Sequence, residues 1–268
     1  MYMQLSGAIQ KMQTHLNRGL AQYQLPIGDK LLNMNDLVGE KITLSFNHLI
    51  YCSHCGKKTN KSYAQGHCYP CSQKLASCDL CIMKPETCHH HLGTCREPQW
   101  GLDNCFSPHV VYLANSSGAK VGITRKRNTP SRWIDQGAVS ALPILEVDTR
   151  LKSGVLEIAL KSYINDKTNW RKMLKNETNQ INLALIRDEL LDKIQKTINF
   201  TDAHALNNEV VDINYPVVEY PSKIISLNFD KTSVVAGVLK GIKAQYLILD
   251  TGVLNIRKFS AYNITLTY

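Results

Sequence analysis

The sequence predicts an α+β protein in which a cysteine-knuckle region and a small mixed core are bracketed by two repeated β-modules. Three observations predict it. All nine cysteines fall between Cys52 and Cys105. The two ends of the chain carry the same short alternating blocks in the same order, and apolar spacing changes from strand-like to helix-like between them. A chain of 268 residues buries a core without disulfide staples. It has no run of about 18 apolar residues that would span a membrane. The start, MYMQLSGAIQKMQTHL, lacks the continuous apolar stretch of a signal peptide. A cytoplasmic location without a membrane partner is expected.

Residues 1–50 form the first β-module: SGAIQKM, AQYQLPIG and EKITLSF read as strands, with Ile42, Leu44 and Phe46 on one face and Thr43 and Ser45 on the other. Residues 51–109 are a Cys/His region too rich in Gly, Pro and Cys for long regular elements. Residues 110–200 form the mixed core. The apolar run HVVYLA, the turn NSSG and the strand AKVGIT precede a helix after Gly154 that aligns Val155, Leu156, Ala159, Leu160 and Tyr163 or Ile164. A second helix aligns Ile186, Leu190, Leu191, Ile194 and Ile198. Residues 215–268 return to strands and repeat the first module. AQYQL at 21–25 matches AQYLI at 244–248, and LNMNDLVGEKITLSF at 32–46 matches LNIRKFSAYNITLTY at 254–268 without a gap. GAIQKM from Gly7 matches GVLKGI from Gly237. Each end is therefore expected to make an equivalent module of the small-barrel kind.

Two Cys-x-x-Cys pairs open the cysteine region, Cys52 with Cys55 and Cys68 with Cys71. Each pair places two thiolates on one tight knuckle, and the 12-residue spacer lets the knuckles face each other. The expected result is a closed, structural, tetrahedral zinc site. Cys78, Cys81, Cys88 and Cys95 are the first choice for a second zinc, which gives about two per chain. Cys105, His109, His89 and His91 are alternates, and an iron–sulfur cluster is the other reading of the second set.

The formal net charge is +9. Residues 1–51, 52–135 and 136–268 contribute +1, +6 and +2, so the excess sits with the cysteines. A basic block of this kind suits a phosphate-bearing partner, DNA or RNA, with Lys57, Lys58, Lys61, Arg125, Lys126 and Arg127 as contact candidates. Neither Gly-x-Gly-x-x-Gly nor a P-loop occurs. Cys105 with His109 is the one plausible thiol nucleophile pair.

Tyr112 ends VVY, Lys120 and Gly122 lie in KVG, Arg132 precedes Trp133, and Glu157 lies on the following helix. In this order residues 108–170 resemble the GIY-YIG endonuclease superfamily. The resemblance implies a catalytic set of Tyr112, Lys120, Arg132 and Glu157, with Mg²⁺ at Glu157. Lys120 stands where that family has its second Tyr, and Asn165 and Asn169 are the nearest candidates for its Asn. Beyond this core, CGKKTNKSYAQGHCYPC, CDLCIMKPETCH, GTCREPQWG and YLANSSGAKVGITR followed by RWIDQGA resemble an uncharacterised bacterial and archaeal family, the domain of unknown function DUF2797. That resemblance spans at least residues 6–175 and implies no reaction. The expected function is nucleic-acid binding, with either Mg²⁺-dependent cleavage or a non-catalytic adaptor role on the same basic surface.

Overall fold

The computed structural model describes residues 3–195 and 203–268; Ile198, placed on the second helix by its spacing, lies outside them. Five strands come first: β1 (Gln4–Ala8), β2 (Gln13–Asn17), β3 (Leu20–Ile27), β4 (Lys30–Asn33) and β5 (Lys41–Ile50). The cysteine region then holds α1 (Tyr69–Lys74), a series of single 3₁₀ turns and α2 (Pro98–Cys105). The mixed core follows with β6 (His109–Asn115), β7 (Ala119–Arg125), α3 (Ser131–Asp135), β8 (Ser140–Val147), α4 (Arg150–Lys161), α5 (Trp170–Leu174) and α6 (Leu183–Gln195). Two short strands, β9 (Ala203–Ala205) and β10 (Val211–Asp212), lead to β11 (Val234–Lys243), β12 (Tyr246–Leu249), β13 (Gly252–Asn255) and β14 (Tyr262–Thr267). Among the described residues no helix is long and apolar enough to cross a membrane.

Both chain ends enter one six-stranded sheet, ordered β1-β14-β5-β11-β12-β13. The first strand of each end pairs with the last strand of the other. Gly7 of β1 lies opposite Ile264 of β14, and Gly237 of β11 lies opposite Ile42 of β5. The two last strands pair with each other through Leu44 and Leu266. These are the residues that the sequence match places in register. Residues 30–50 and 252–267 also share an order of strand, 3₁₀ turn and strand. The ends thus complete each other within one sheet rather than standing apart. Ile42 and Leu44 are fully buried, whereas Thr43 and Ser45 on the other face are half-buried. β2, β3 and β4 form a separate three-stranded sheet.

In the mixed core β6 is central, paired antiparallel with β7 on one side and β8 on the other. Its alternation feeds two cores. Val110, Tyr112 and Ala114 join the apolar cluster of the end strands, whereas Val111 and Leu113 pack with Leu156, Leu160, Leu190 and Ile194 of the helices. α4 begins before Gly154 because Thr149 caps it, its hydroxyl accepting from the Lys152 amide at 3.3 Å. Leu156 and Leu160 are buried as the spacing implies, but Val155 and Tyr163 are about half exposed (47% each). The apolar stripe of α4 is therefore narrower than the sequence suggests.

Candidate functional site

Cys52, Cys55, Cys68 and Cys71 have their sulfurs within 4.8 Å of one another. The Cys55 and Cys68 sulfurs are 3.8 Å apart, close to the roughly 3.8 Å edge of a sulfur tetrahedron built on Zn–S bonds of about 2.3 Å. Local structure sets up both knuckles. The Cys52 amide donates to the Lys57 carbonyl and the Gly56 amide to the Cys52 carbonyl, each at 2.9 Å. Cys68 caps α1, whose first turn carries Pro70. The crowded thiols conflict electrostatically. Burial opposes ionisation of Cys52, but the amides of Cys55, Cys68 and His54 outweigh it and bring the thiol down to about 6. Cys71 is pushed up to about 12, first by Cys68. One zinc ion bound by all four would remove that conflict, and the set is compatible with it.

The other five cysteines divide. Cys81, Cys88, Cys95 and Cys105 line one small cavity together with His89, His90 and Trp100. Cys78 is not among the lining groups; its sulfur lies 3.9 Å from the Ser77 hydroxyl, and burial raises its pKa. Asp79, Cys81 and His89 also form a compact group. Asp79, however, is committed to Arg96 at 2.6 Å, and His89 Nδ1 to the Thr94 hydroxyl at 2.8 Å. His91 is exposed. His109 is fully buried, its Nδ1 2.6 Å from the Ser107 carbonyl and its Nε2 without a partner. Burial, with Arg150, Arg125 and Arg127 nearby, pushes its pKa down to about 4. Burial also raises the Cys105 thiol, which keeps it protonated and a weak nucleophile.

Tyr112, Lys120, Arg132 and Glu157 come together around β6, β7, α3 and α4. Tyr112 and Gly122 are cross-strand partners, and a Cβ on Gly122 would meet the Tyr112 hydroxyl at 2.7 Å. The glycine is thus what makes room for the ring, which also meets Trp133 edge-on at 6.0 Å. Tyr112 is fully buried, and its hydroxyl makes no well-formed hydrogen bond although Arg132 and Gln136 face it. Burial raises its pKa, outweighing the Arg132 charge. Lys120, also buried, is pushed down to about 8 by burial and then by Arg132. Glu157 is raised by burial despite Lys161. The Lys161 ammonium sits 3.6 Å from the Glu157 carboxylate and 3.1 Å from that of Asp166. Asn165 abuts Lys120 through its backbone, its carbonyl accepting from the Val121 amide at 2.9 Å, and Asn169 serves as the cap of α5.

The basic candidates also divide. Lys57, Lys58 and Lys61 are exposed beside the first thiol set. Lys126 pairs with Glu146 at 2.8 Å. Arg125 and Arg127 donate to Asn104 at 2.7 and 2.9 Å, and Arg150 to the Ile82 carbonyl at 2.6 Å. Among the described residues none of Arg125, Arg127, Arg132 and Arg150 is ion-paired with a carboxylate. The charges of Arg150 and Arg127 reach Arg125, and that of Arg132 reaches Arg150.

Two features escaped the sequence reading. Arg150 opens α4 as a single charge with no motif around it. Lys243 sits on a strand, yet it is fully buried between the rings of Tyr215 and Tyr220 (5.1 and 5.4 Å) and donates to Asn176 at 2.7 Å. Asn176, Tyr215 and Tyr220 line a groove of about 670 Å³ with Asn115, Ser140 and Asn179.

A family model described as a protein of unknown function, DUF2797, matches residues 39–264. No curated protein and no solved structure matches the chain. The chain belongs to the DUF2797 family.

Proposed function

From that membership as premise, we propose that the protein binds nucleic acid through the basic surface around its GIY-YIG-like core, with zinc at the first cysteine set holding the adjoining region in shape. The observation that carries this reading is the run of neighbouring guanidiniums, Arg125, Arg127, Arg150 and Arg132, none of them ion-paired with a carboxylate among the described residues. Guanidiniums held near one another and not ion-paired to a carboxylate suit phosphate oxygens, which they bind by two parallel hydrogen bonds; Glu157 is the carboxylate whose charge reaches Arg150 and Arg132. Lys57, Lys58 and Lys61 extend the same charge along the chain.

Two observations favour binding without cleavage, the adaptor role. Tyr112 is fully buried with a raised pKa, so it is poorly placed to take a proton from water at neutral pH. Glu157 and Asp166 are the oxygen donors suited to Mg²⁺, but Lys161 already lies between them. The cleavage reading has its own support: the strand, strand, helix, strand, helix order of β6 to α4 and the gathering of three perturbed groups, Tyr112, Lys120 and Glu157, at one place. If Mg²⁺ displaced Lys161, Glu157 would hold it, and the ion would supply charge neutralisation at the phosphoryl oxygens.

The test is binding of fluorescent DNA and RNA duplexes and single strands across a salt series. Affinity is expected to fall linearly on a log–log plot, by a slope of about 0.7 to 0.9 for each phosphate contacted. Arg125→Ala with Arg127→Ala should flatten that slope. No binding, or salt-independent binding, overturns the proposal. Incubation with Mg²⁺ then separates the two roles: product from wild type but not from Glu157→Ala marks cleavage, and intact substrate bound equally by both marks the adaptor.

A further inference from the structure

We propose that Asp79, Cys81 and His89 hold a zinc ion in a site of mixed donors, different in kind from the four-thiol set. The inference stands apart from nucleic-acid binding and rests on the geometry of these three side chains. Their carboxylate oxygen, sulfur and imidazole nitrogen lie within 4.8 Å of one another. Sequence spacing puts a second zinc on Cys78, Cys81, Cys88 and Cys95, but of those only Cys81 belongs to this compact group. Local turns assemble it. Asp79 Oδ1 accepts from the Cys81 amide at 3.2 Å and caps the single turn Leu80–Ile82, so both residues share one knuckle. The next turn, Pro85–Thr87, carries the chain on to His89.

The bonds that occupy Asp79 and His89 engage their other atoms and orient the ones left over. The Thr94 hydroxyl gives its one hydrogen to the His89 carbonyl at 3.2 Å, so toward the imidazole Nδ1, 2.8 Å away, it can only accept. A neutral His89 therefore carries its proton on Nδ1 and presents a lone pair at Nε2, the state that a metal requires. Arg96 Nε holds Asp79 Oδ2 at 2.6 Å, which is how ligating carboxylates are commonly fixed from behind. The remaining oxygen, Oδ1, stands 3.6 Å from His89 Nε2. A hydrogen bond would draw the two atoms to about 2.7–3.2 Å. Their actual separation matches the edge, roughly 3.3–3.6 Å, of a tetrahedron built on Zn–O and Zn–N bonds of about 2.0–2.2 Å. Oxygen, nitrogen and sulfur donors together suit zinc. The same three residues line the cavity of about 20 Å³ that Cys88, Cys95 and Cys105 also border. Its room for about one water-sized sphere provides the fourth ligand, a water. Three protein ligands and a water make a zinc site that can take up a further ligand, which four thiolates do not.

Metal analysis of the full chain, purified without chelator, should find about two zinc ions. Zinc-edge X-ray absorption should give about 2.5 sulfur and 1.5 nitrogen or oxygen neighbours per ion, the mean of a four-sulfur site and a site with one sulfur, one nitrogen and two oxygens. His89→Ala should lower the content to about one zinc and raise the mean to about four sulfurs. Cys95→Ala alters the same cavity outside the compact group and should keep both ions. A single zinc with one sulfur neighbour supports this site and empties the four-thiol set instead. Four sulfurs around the zinc of the wild type, whether one ion or two, overturn the proposal. So do two ions retained by His89→Ala, which would leave Arg96, Asp79 and His89 as an ion-pair relay alone, and loss of the second ion from Cys95→Ala, which would move it to the cysteines. If His89→Ala does not fold, the wild-type absorption decides the matter.

Discussion

The cysteine region and the β6–β8 core that follows it are adjacent in sequence and are held together by opposite means. Between Cys52 and Cys105 the backbone forms one six-residue helix, one eight-residue helix and isolated 3₁₀ turns. Few of its side chains reach either main apolar cluster. Its hydrogen bonds are mostly local turns, and turns alone do not offset the entropy of ordering so many residues. The core has the reverse character: every residue of β6 is buried, and its two faces feed two separate apolar clusters. The first region has little packing of its own and a set of four thiols compatible with one zinc ion, whereas the second is ordered by packing. They meet where α4 lies against Pro85 and Glu86.

The strongest test of that contrast is removal of one compact thiol. Cys68→Ser should abolish zinc binding and strip hydrogen-exchange protection from residues 51–75, while β6, β7 and β8 keep theirs. Structural zinc in small domains carries apparent binding free energies of about 10–16 kcal/mol, which becomes folding free energy of the region. Equal loss of protection in both regions would show that they fold as a unit and would break the comparison.

A smaller effect is expected at the joint. A Cβ on Gly154 would lie 2.7 Å from the Glu86 amide and 2.7 Å from the Pro85 ring. Neither neighbour can swing aside as a flexible side chain does, so Gly154→Ala should cost about 1–3 kcal/mol, read from the urea midpoint. Zinc content should stay unchanged. Gly122→Ala, by contrast, tests the packed core alone. It meets the outer end of the Tyr112 ring, and should cost about 1–3 kcal/mol at most with no change in the exchange of the cysteine region. Tyr112→Phe should be neutral within about 1 kcal/mol or stabilising, because the buried hydroxyl it removes has no well-formed partner. A larger loss would mean that Arg132 or Gln136 bonds that hydroxyl in solution.

The same contrast explains what could be read from the sequence. Ligand pairs in Cys-x-x-Cys are local, so Cys52, Cys55, Cys68 and Cys71 were legible from spacing, as was the alternation that buries Ile42 and Leu44. The choice of Cys105 over Cys78 for the second cavity was not, because Cys105 arrives on the end of α2 and only the packing of that helix brings it near Cys88 and Cys95. The matching blocks at the chain ends were visible, but their exchange of strands was not. A repeat states that two segments are alike and says nothing of which pairs with which. Val155 illustrates a further limit: helical spacing fixed its angle on α4 but not the width of the surface opposite. Nor could a lysine at position 243, in a strand with ordinary alternation, announce that both its neighbours across space are tyrosines.

Lys243 supplies the effect that isolates packing from metal. Burial pushes its pKa from 10.5 to about 8, with no opposing carboxylate among the causes. Between about pH 8 and 10.5 the unfolded chain therefore holds a proton on this lysine that the folded chain has released. More protons bound by the unfolded state means that stability rises with pH across this window, by at most about 1.4 kcal/mol per pH unit for one group. Lys120, shifted in the same direction, adds to the rise. Lys243→Met removes the charge and keeps the stem between Tyr215 and Tyr220, so the urea midpoint of the protein should rise less steeply from pH 8 to 10 than in wild type. Holding zinc saturated throughout keeps the thiols of the first site from titrating in the same range. A wild-type midpoint that is flat or falls over this window would mean that Lys243 stays charged in its aromatic cage, held by the two rings rather than penalised by them.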